Sequence, residues 1–129
     1  MKKKILSVLA AVGLCAASCN AEDGIVVLSP QDFINHVKAD TSAVILDVRT
    51  PVEYAEGHLE GTKQLDYLNT EAFEVGMKSL DKANTYYIYC RSGRRSHGAC
   101  EKMKAQGFKV FDMEGGYLNW TKQGLPVVK

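Results

Sequence analysis

Two five-residue runs constrain the fold of this chain more than any other feature: AVILD at residues 43–47 and TYYIY at residues 85–89. Neither alternates apolar with polar residues, so neither suits a strand with one face in water. Continuous runs of this kind fit strands covered on both sides, and the aromatic and β-branched content of the second strengthens that reading. A sheet buried on both faces needs helices above and below it. The rest of the chain supplies them in alternation with further short strands.

Ile25 to Leu28 reads as a brief strand. Ser29 is a helix N-cap, Pro30 fits the first helical position and Asp32 the first turn, with Phe33, Ile34 and Val37 as the apolar stripe. Thr50 and Pro51 start a short helix, Gly57 and Gly61 mark a turn, and residues 64–66 form a short strand. Residues 70–80 read as a helix capped by Thr70, with Phe73, Met77 and Leu80 on one side. Residues 96–106 read as a helix with Ala99, Cys100 and Met103 inward and Glu101, Lys102 and Lys104 outward, ended by Gly107. Lys109 to Asp112 is the last strand, and a short helix follows. The expected fold is α/β: a single domain with a central, mostly parallel sheet and helices on both faces. Ligands of such sheets bind beyond the carboxyl ends of the strands. Cys90 directly follows the TYYIY strand, while Asp47 ends the AVILD strand and Arg49 comes two residues later.

The loop after Tyr89 reads CRSGRRS. A cysteine attacks as its thiolate, which neighbouring positive charge stabilises. Here Arg91, Arg94 and Arg95 stand beside Cys90, and a helix expected from Ser96 directs its free N–H groups back at the loop. Ser92 and Gly93 complete the loop, and Gly93 permits a turn in which successive amides converge on an anion. That anion is a thiolate, a persulfide or a bound oxyanion. The plainer alternative is a basic surface turn behind a buried cysteine.

Three segments in order resemble the signatures of the rhodanese family in its single-domain form: LDVRTPVEYAEGHLEGT (46–62), YCRSGRRS (89–96) and GGYLNWTKQGLPV (115–127). The likeness spans residues 25–128. It implies a thiosulfate sulfurtransferase in which Cys90 carries sulfur as a persulfide between a small anionic donor and a thiol or cyanide acceptor, in two half-reactions. It further implies that the amides of residues 91–95 hold the persulfide, that Arg91, Arg94 and Arg95 draw in the donor, and that Asp47 and Arg49 brace the loop. No cofactor or metal is implied. Rival readings are a persulfide carrier for a protein partner and a non-catalytic binding module of the same family, though modules of that kind usually lack the cysteine. Related phosphatases place an arginine six residues after the cysteine. Here that position is Ser96, and Arg95 arrives one residue too early, so the shorter loop favours one sulfur over a tetrahedral phosphate or arsenate.

Other residues have plainer expectations. His58 fits a structural turn better than a general base. His97 and Cys100 could make half a metal site, but no second ligand pair appears, and Cys100 reads as core. A Cys90–Cys100 disulfide disagrees with a loop running into a helix. Trp120, with Leu118 and Leu125, reads as a core plug. Glu53 stands where some larger family members carry a basic residue, which bears on donor preference.

The first 18 residues combine three lysines, an apolar run from Ile5 to Ala17 and small residues, the build of a secretory signal. The run is shorter than the ~20 residues of a membrane-spanning helix. AASCN resembles a bacterial lipoprotein signal, with Cys19 as the lipid-bearing first residue of the mature chain, although Ala16 stands where the pattern usually has leucine. Residues 19–24 then read as a tether and residues 25–129 as the domain, exported to the periplasm or cell envelope and touching membrane through the lipid alone. Loss of Lys2, Lys3 and Lys4 lowers the 16 basic residues to 13 against 15 acidic ones. A slightly acidic chain without a basic tract is a poor ligand for nucleic acid.

Overall fold

The computed structural model describes residues 19–20 and 24–129; the expected signal, residues 1–18, lies outside them. The elements in chain order are β1 (Cys19–Asn20), β2 (Ile25–Leu28), α1 (Pro30–Ala39), β3 (Ala43–Asp47), α2 (Pro51–Glu56), β4 (Lys63–Gln64), α3 (Thr70–Lys78), β5 (Thr85–Tyr89), α4 (Arg94–Ala105), β6 (Lys109–Met113) and α5 (Gly116–Lys122). The sheet order is β1-β2-β6-β5-β3-β4. β2 to β6 are all parallel to their neighbours, and β1 joins the edge antiparallel to β2.

The two apolar runs lie side by side at the centre, in register from Ala43 opposite Thr85 to Asp47 opposite Tyr89. Their side chains alternate between two cores. Tyr86 and Ile88 join Leu46, Phe73, Met77, Cys100 and Met103 beneath α3 and α4. Tyr87 and Tyr89 join Ile45, Phe33, Leu59 and Trp120 beneath α1 and α5. Each tyrosine of the run finds a polar partner at its tip, as a buried phenol must: Tyr86 donates to Asp81 O at 2.9 Å, Tyr87 to Asp40 Oδ2 at 2.8 Å, and Tyr89 accepts from Leu59 N at 3.2 Å.

The helix starts follow the expected chemistry in α1, where Ser29 Oγ accepts Asp32 N at 3.2 Å, and in α2, where Thr50 and Glu53 form a reciprocal capping box. Several boundaries differ by a residue or two, four of them for a visible local reason. Asn69, not Thr70, caps α3, because its carbonyl oxygen reaches Ala72 N at 3.1 Å. β4 falls at 63–64 instead of 64–66, set by its pairing with Leu46 and Asp47. Residues 19 and 20 of the expected tether pair with Val26 and Ile25. α4 starts two residues early, at Arg94, because Gly93 already has the left-handed conformation (φ 108°) and serves as its N-cap. Trp120 is buried with its Nε1 donating to Pro126 O at 2.9 Å, but Leu118 faces outward, 46% exposed, and is no part of that plug. Among the described residues no helix is long and apolar enough to cross a membrane.

Candidate active site

β3, β5 and β6 end at the same edge of the sheet, and the candidate residues gather there. The loop at the end of β5 is shorter than expected: Arg91, Ser92 and Gly93 separate Cys90 from the first residue of α4. Arg94 and Arg95 therefore belong to the helix and not to the loop expected to run as far as Arg95. Of the amides of residues 91–95, Gly93 N–H is the one hydrogen-bonded to Cys90 Sγ, at 3.0 Å. This donor sits at the N-terminus of a 12-residue helix, where the partial positive charge favours an anionic partner.

The loop is fixed from three sides. Val48 N donates to Tyr89 O at 3.0 Å from the β3 side. The start of α5 donates twice, Tyr117 N to Cys90 O at 2.8 Å and Leu118 N to Arg91 O at 3.0 Å. These bonds need a close approach that only glycine allows: a Cβ on Gly116, whose φ is +60°, would stand 2.6 Å from both Cys90 O and Arg91 O. The third support comes from within α4, where His97 N and Ser96 Oγ donate to Gly93 O at 3.1 and 3.2 Å.

Asp47 and Arg49 lie beneath this loop, both buried. Arg49 Nη2 is 2.7 Å from Asp47 Oδ2 and 2.7 Å from Gly57 O, and its guanidinium lies 4.2 Å from the Tyr117 ring centroid. Burial works against the Arg49 charge, but the hydrogen bonds and charge of Asp47 outweigh it and raise its pKa above the ordinary arginine value. The pair thus ties β3 to the turn at Gly57 and to α5.

The three loop arginines separate. Arg95 is engaged: its Nη1 and Nη2 lie 2.8 and 3.0 Å from Glu53 Oε1 and Oε2 on α2. Arg95 holds the Glu53 carboxyl down to about 2, chiefly by these hydrogen bonds. Arg91, Ser92 and Arg94 are exposed, and among the described residues neither of these two arginines has a carboxylate partner. Cys90 is 1% exposed and not disulfide-bonded, and Cys100 is buried in the core beneath α4. His58 is held by a contact between Nδ1 and Tyr54 O at 2.8 Å and by stacking on the Tyr54 ring. His97 turns toward Asp112 and Glu101.

Sequence reasoning passed over Gly116 and Tyr117, although the GGY of the closing segment was their signal. It also passed over Asp112, a single acid in a strand pattern that carried no signal.

The Rhodanese-like domain profile matches residues 29–123. A protein of Allochromatium vinosum named a sulfurtransferase is 39% identical over 92 residues, covering 70% of this chain and 83% of that protein. The thiosulfate sulfurtransferase GlpE of Pseudomonas fluorescens is 37% identical over 82 residues, covering 63% and 72%. A crystal structure of a rhodanese-related protein from Thermoplasma volcanium superposes with a TM-score of 0.71 at 27% identity, over 79% of this chain and 96% of that one. With a five-stranded parallel sheet that delivers Cys90 to the N-terminus of α4, and with a family match that spans most of its length, this chain belongs to the rhodanese-like domain family.

Proposed function

We propose that the protein is a sulfurtransferase that takes sulfane sulfur from a small anionic donor such as thiosulfate onto Cys90 and passes it to a thiol or cyanide. One observation carries this reading: Cys90 Sγ accepts the Gly93 N–H at 3.0 Å at the start of α4, while Arg91 and Arg94 stand exposed on either side of the same short loop. The Cys90 thiolate attacks the outer sulfur of thiosulfate. The new sulfur–sulfur bond forms as the donor's own breaks, and sulfite leaves with the electron pair. In the second half-reaction the acceptor attacks the outer sulfur of the persulfide, and Cys90 departs as thiolate. No oxidant is consumed.

The burial of Cys90 favours a donor that offers one protruding sulfur over a bulky ester. Arg95, the residue nearest in sequence to the arginine of a phosphatase loop, is already bound by Glu53, which also weighs against phosphate. Steady-state kinetics test the reading. Thiosulfate and cyanide varied together give parallel double-reciprocal lines. Faster release of phosphate from an aryl phosphate than conversion of thiosulfate would refute it.

The same reading puts the domain outside the cytoplasm, held by lipid on Cys19, and rests on the lysines, apolar run and AASCN of the first 19 residues. An inhibitor of signal peptidase II then makes the precursor accumulate. An unchanged gel pattern removes the anchor.

A further inference from the structure

Arg49 meets the backbone of the sulfur site through two aromatic rings. Its guanidinium carbon stands 4.2 Å from the ring centroid of Tyr117 and 5.6 Å from that of Tyr89. The two rings lie 6.4 Å apart and 21° from parallel. Tyr89 precedes Cys90 in the chain, and Tyr117 N–H donates to Cys90 O at 2.8 Å. One buried cation thus touches both residues that fix the backbone of Cys90.

The two rings do not depend on it equally. Tyr89 is fully buried in the central strand, its carbonyl accepts Val48 N–H, and its hydroxyl accepts Leu59 N–H. It is seated without Arg49. Tyr117 is half-buried and lies in the first turn of a seven-residue helix, whose N-cap Gly115 makes no side-chain hydrogen bond. A helix this short is not stable on its own, so its start has to be fixed from outside. The Tyr117 ring does so. It lies over the Arg49 guanidinium and against the turn at Gly57, where a Cβ would come within 2.5 Å of the Tyr117 hydroxyl oxygen. Arg49 is in turn held by Asp47 and by Gly57 O, each at 2.7 Å. A guanidinium is attracted to the π density of a ring face, most strongly where water is excluded, and the Arg49 side chain is buried.

We propose that Tyr117 is a positioning residue for Cys90: its ring, seated on Arg49, fixes the start of α5 so that the Tyr117 N–H holds the Cys90 carbonyl and, with it, the sulfur against Gly93 N–H. Each link is an observed contact: ring to guanidinium at 4.2 Å, Tyr117 N–H to Cys90 O at 2.8 Å, Gly93 N–H to Cys90 Sγ at 3.0 Å. The proposal rests on the sulfurtransferase reading for the reaction that Cys90 performs. The exposed side chains of Arg91 and Arg94, which draw in the donor in that reading, lie outside this path.

A series of rings of nearly constant shape tests it without truncating the core. Tyr117→Phe, and the same substitution carrying one, two and three ring fluorines, remove π density step by step. Hydrogen exchange at the Tyr117 amide is expected to speed up along the series, by about fivefold in all, while the amide of Ile88, buried in the central strand, does not follow. With thiosulfate and cyanide, kcat falls in the same order and KM changes less than about twofold. Exchange at Tyr117 that does not change along the series, or that speeds up equally at Ile88, overturns the proposal. So does faster exchange with an unchanged kcat. If no member of the series and no wild-type protein turns over, and thiosulfate adds no mass to Cys90, the sulfurtransferase reading falls, and the exchange gradient by itself decides whether Arg49 seats Tyr117 over Cys90.

Discussion

Arg95 and Glu53 form a two-pronged ion pair that ties the first turn of α4 to α2, with contacts of 2.8 and 3.0 Å. The pair divides the basic loop into one arginine that holds structure and two that face solvent. It also gives Glu53 two tasks, since the same carboxylate accepts Thr50 N at 3.0 Å in the capping box of α2.

Glu53→Gln tests that pair through acid stability. The Glu53 carboxyl lies near 2 in the folded protein against an ordinary 4.5. A lowered acid contributes stability that is present above the unfolded value and is lost as pH falls through the folded one. Urea midpoints of wild type and variant are therefore expected to differ most at pH 6–7 and to converge toward pH 2. Glu53 is partly solvated, so the difference is about 1 kcal/mol or less.

Arg91→Ala and Arg94→Ala each raise the KM for thiosulfate, by about tenfold, with kcat changed less than about twofold, because an exposed guanidinium binds donor and transition state alike. Added salt reproduces part of the effect in the wild type, since exposed charges are screened. Initial rates over donor concentration at two ionic strengths check both statements.

Gly116→Ala places a methyl group 2.6 Å from two backbone oxygens of the loop, at a positive φ. The contact atoms are backbone and cannot swing aside. A loss of about 2–4 kcal/mol in denaturant unfolding is expected, with transfer activity falling because Cys90 moves with its carbonyl. Gly61→Ala is the control for φ alone, since nothing lies within 4 Å of a Cβ there.

Asp112→Asn changes stability in the opposite pH sense to Glu53. The Asp112 carboxyl is raised from 3.8 to about 6 by burial. Its stabilising contribution is present below the unfolded value and is lost as pH rises through about 6. The variant escapes that loss, so its stability relative to wild type improves between pH 4 and 7. Two pH units correspond to at most about 3 kcal/mol. Thermal unfolding across that range measures it.

Much of this was legible before any coordinates. The runs at 43–47 and 85–89 were readable as the central strands because four successive apolar or aromatic residues in each, without alternation, have no wet face to offer. Ser29-Pro30 and Thr50-Pro51 gave helix starts because capping is local chemistry. The misreadings depend on what sequence spacing does not carry. Ser96 looked like the start of α4, but the left-handed turn at Gly93 begins it at Arg94. The ion pair of Arg95 with Glu53, 42 positions away, had no signal in the spacing of the basic loop. Gly116 was not singled out, because its need for glycine is visible only against the carbonyls of Cys90 and Arg91. Asp112 was silent because burial and an unanswered oxygen are properties of the packed state.

The central claim is that Cys90 carries the sulfur. Incubating the protein with thiosulfate, removing excess donor and taking an intact mass tests it most directly. A gain of about 32 Da, one sulfur atom, is expected, removed by cyanide with release of thiocyanate and absent in Cys90→Ser. An unchanged mass in the wild type, or the same gain in Cys90→Ser, would contradict the account.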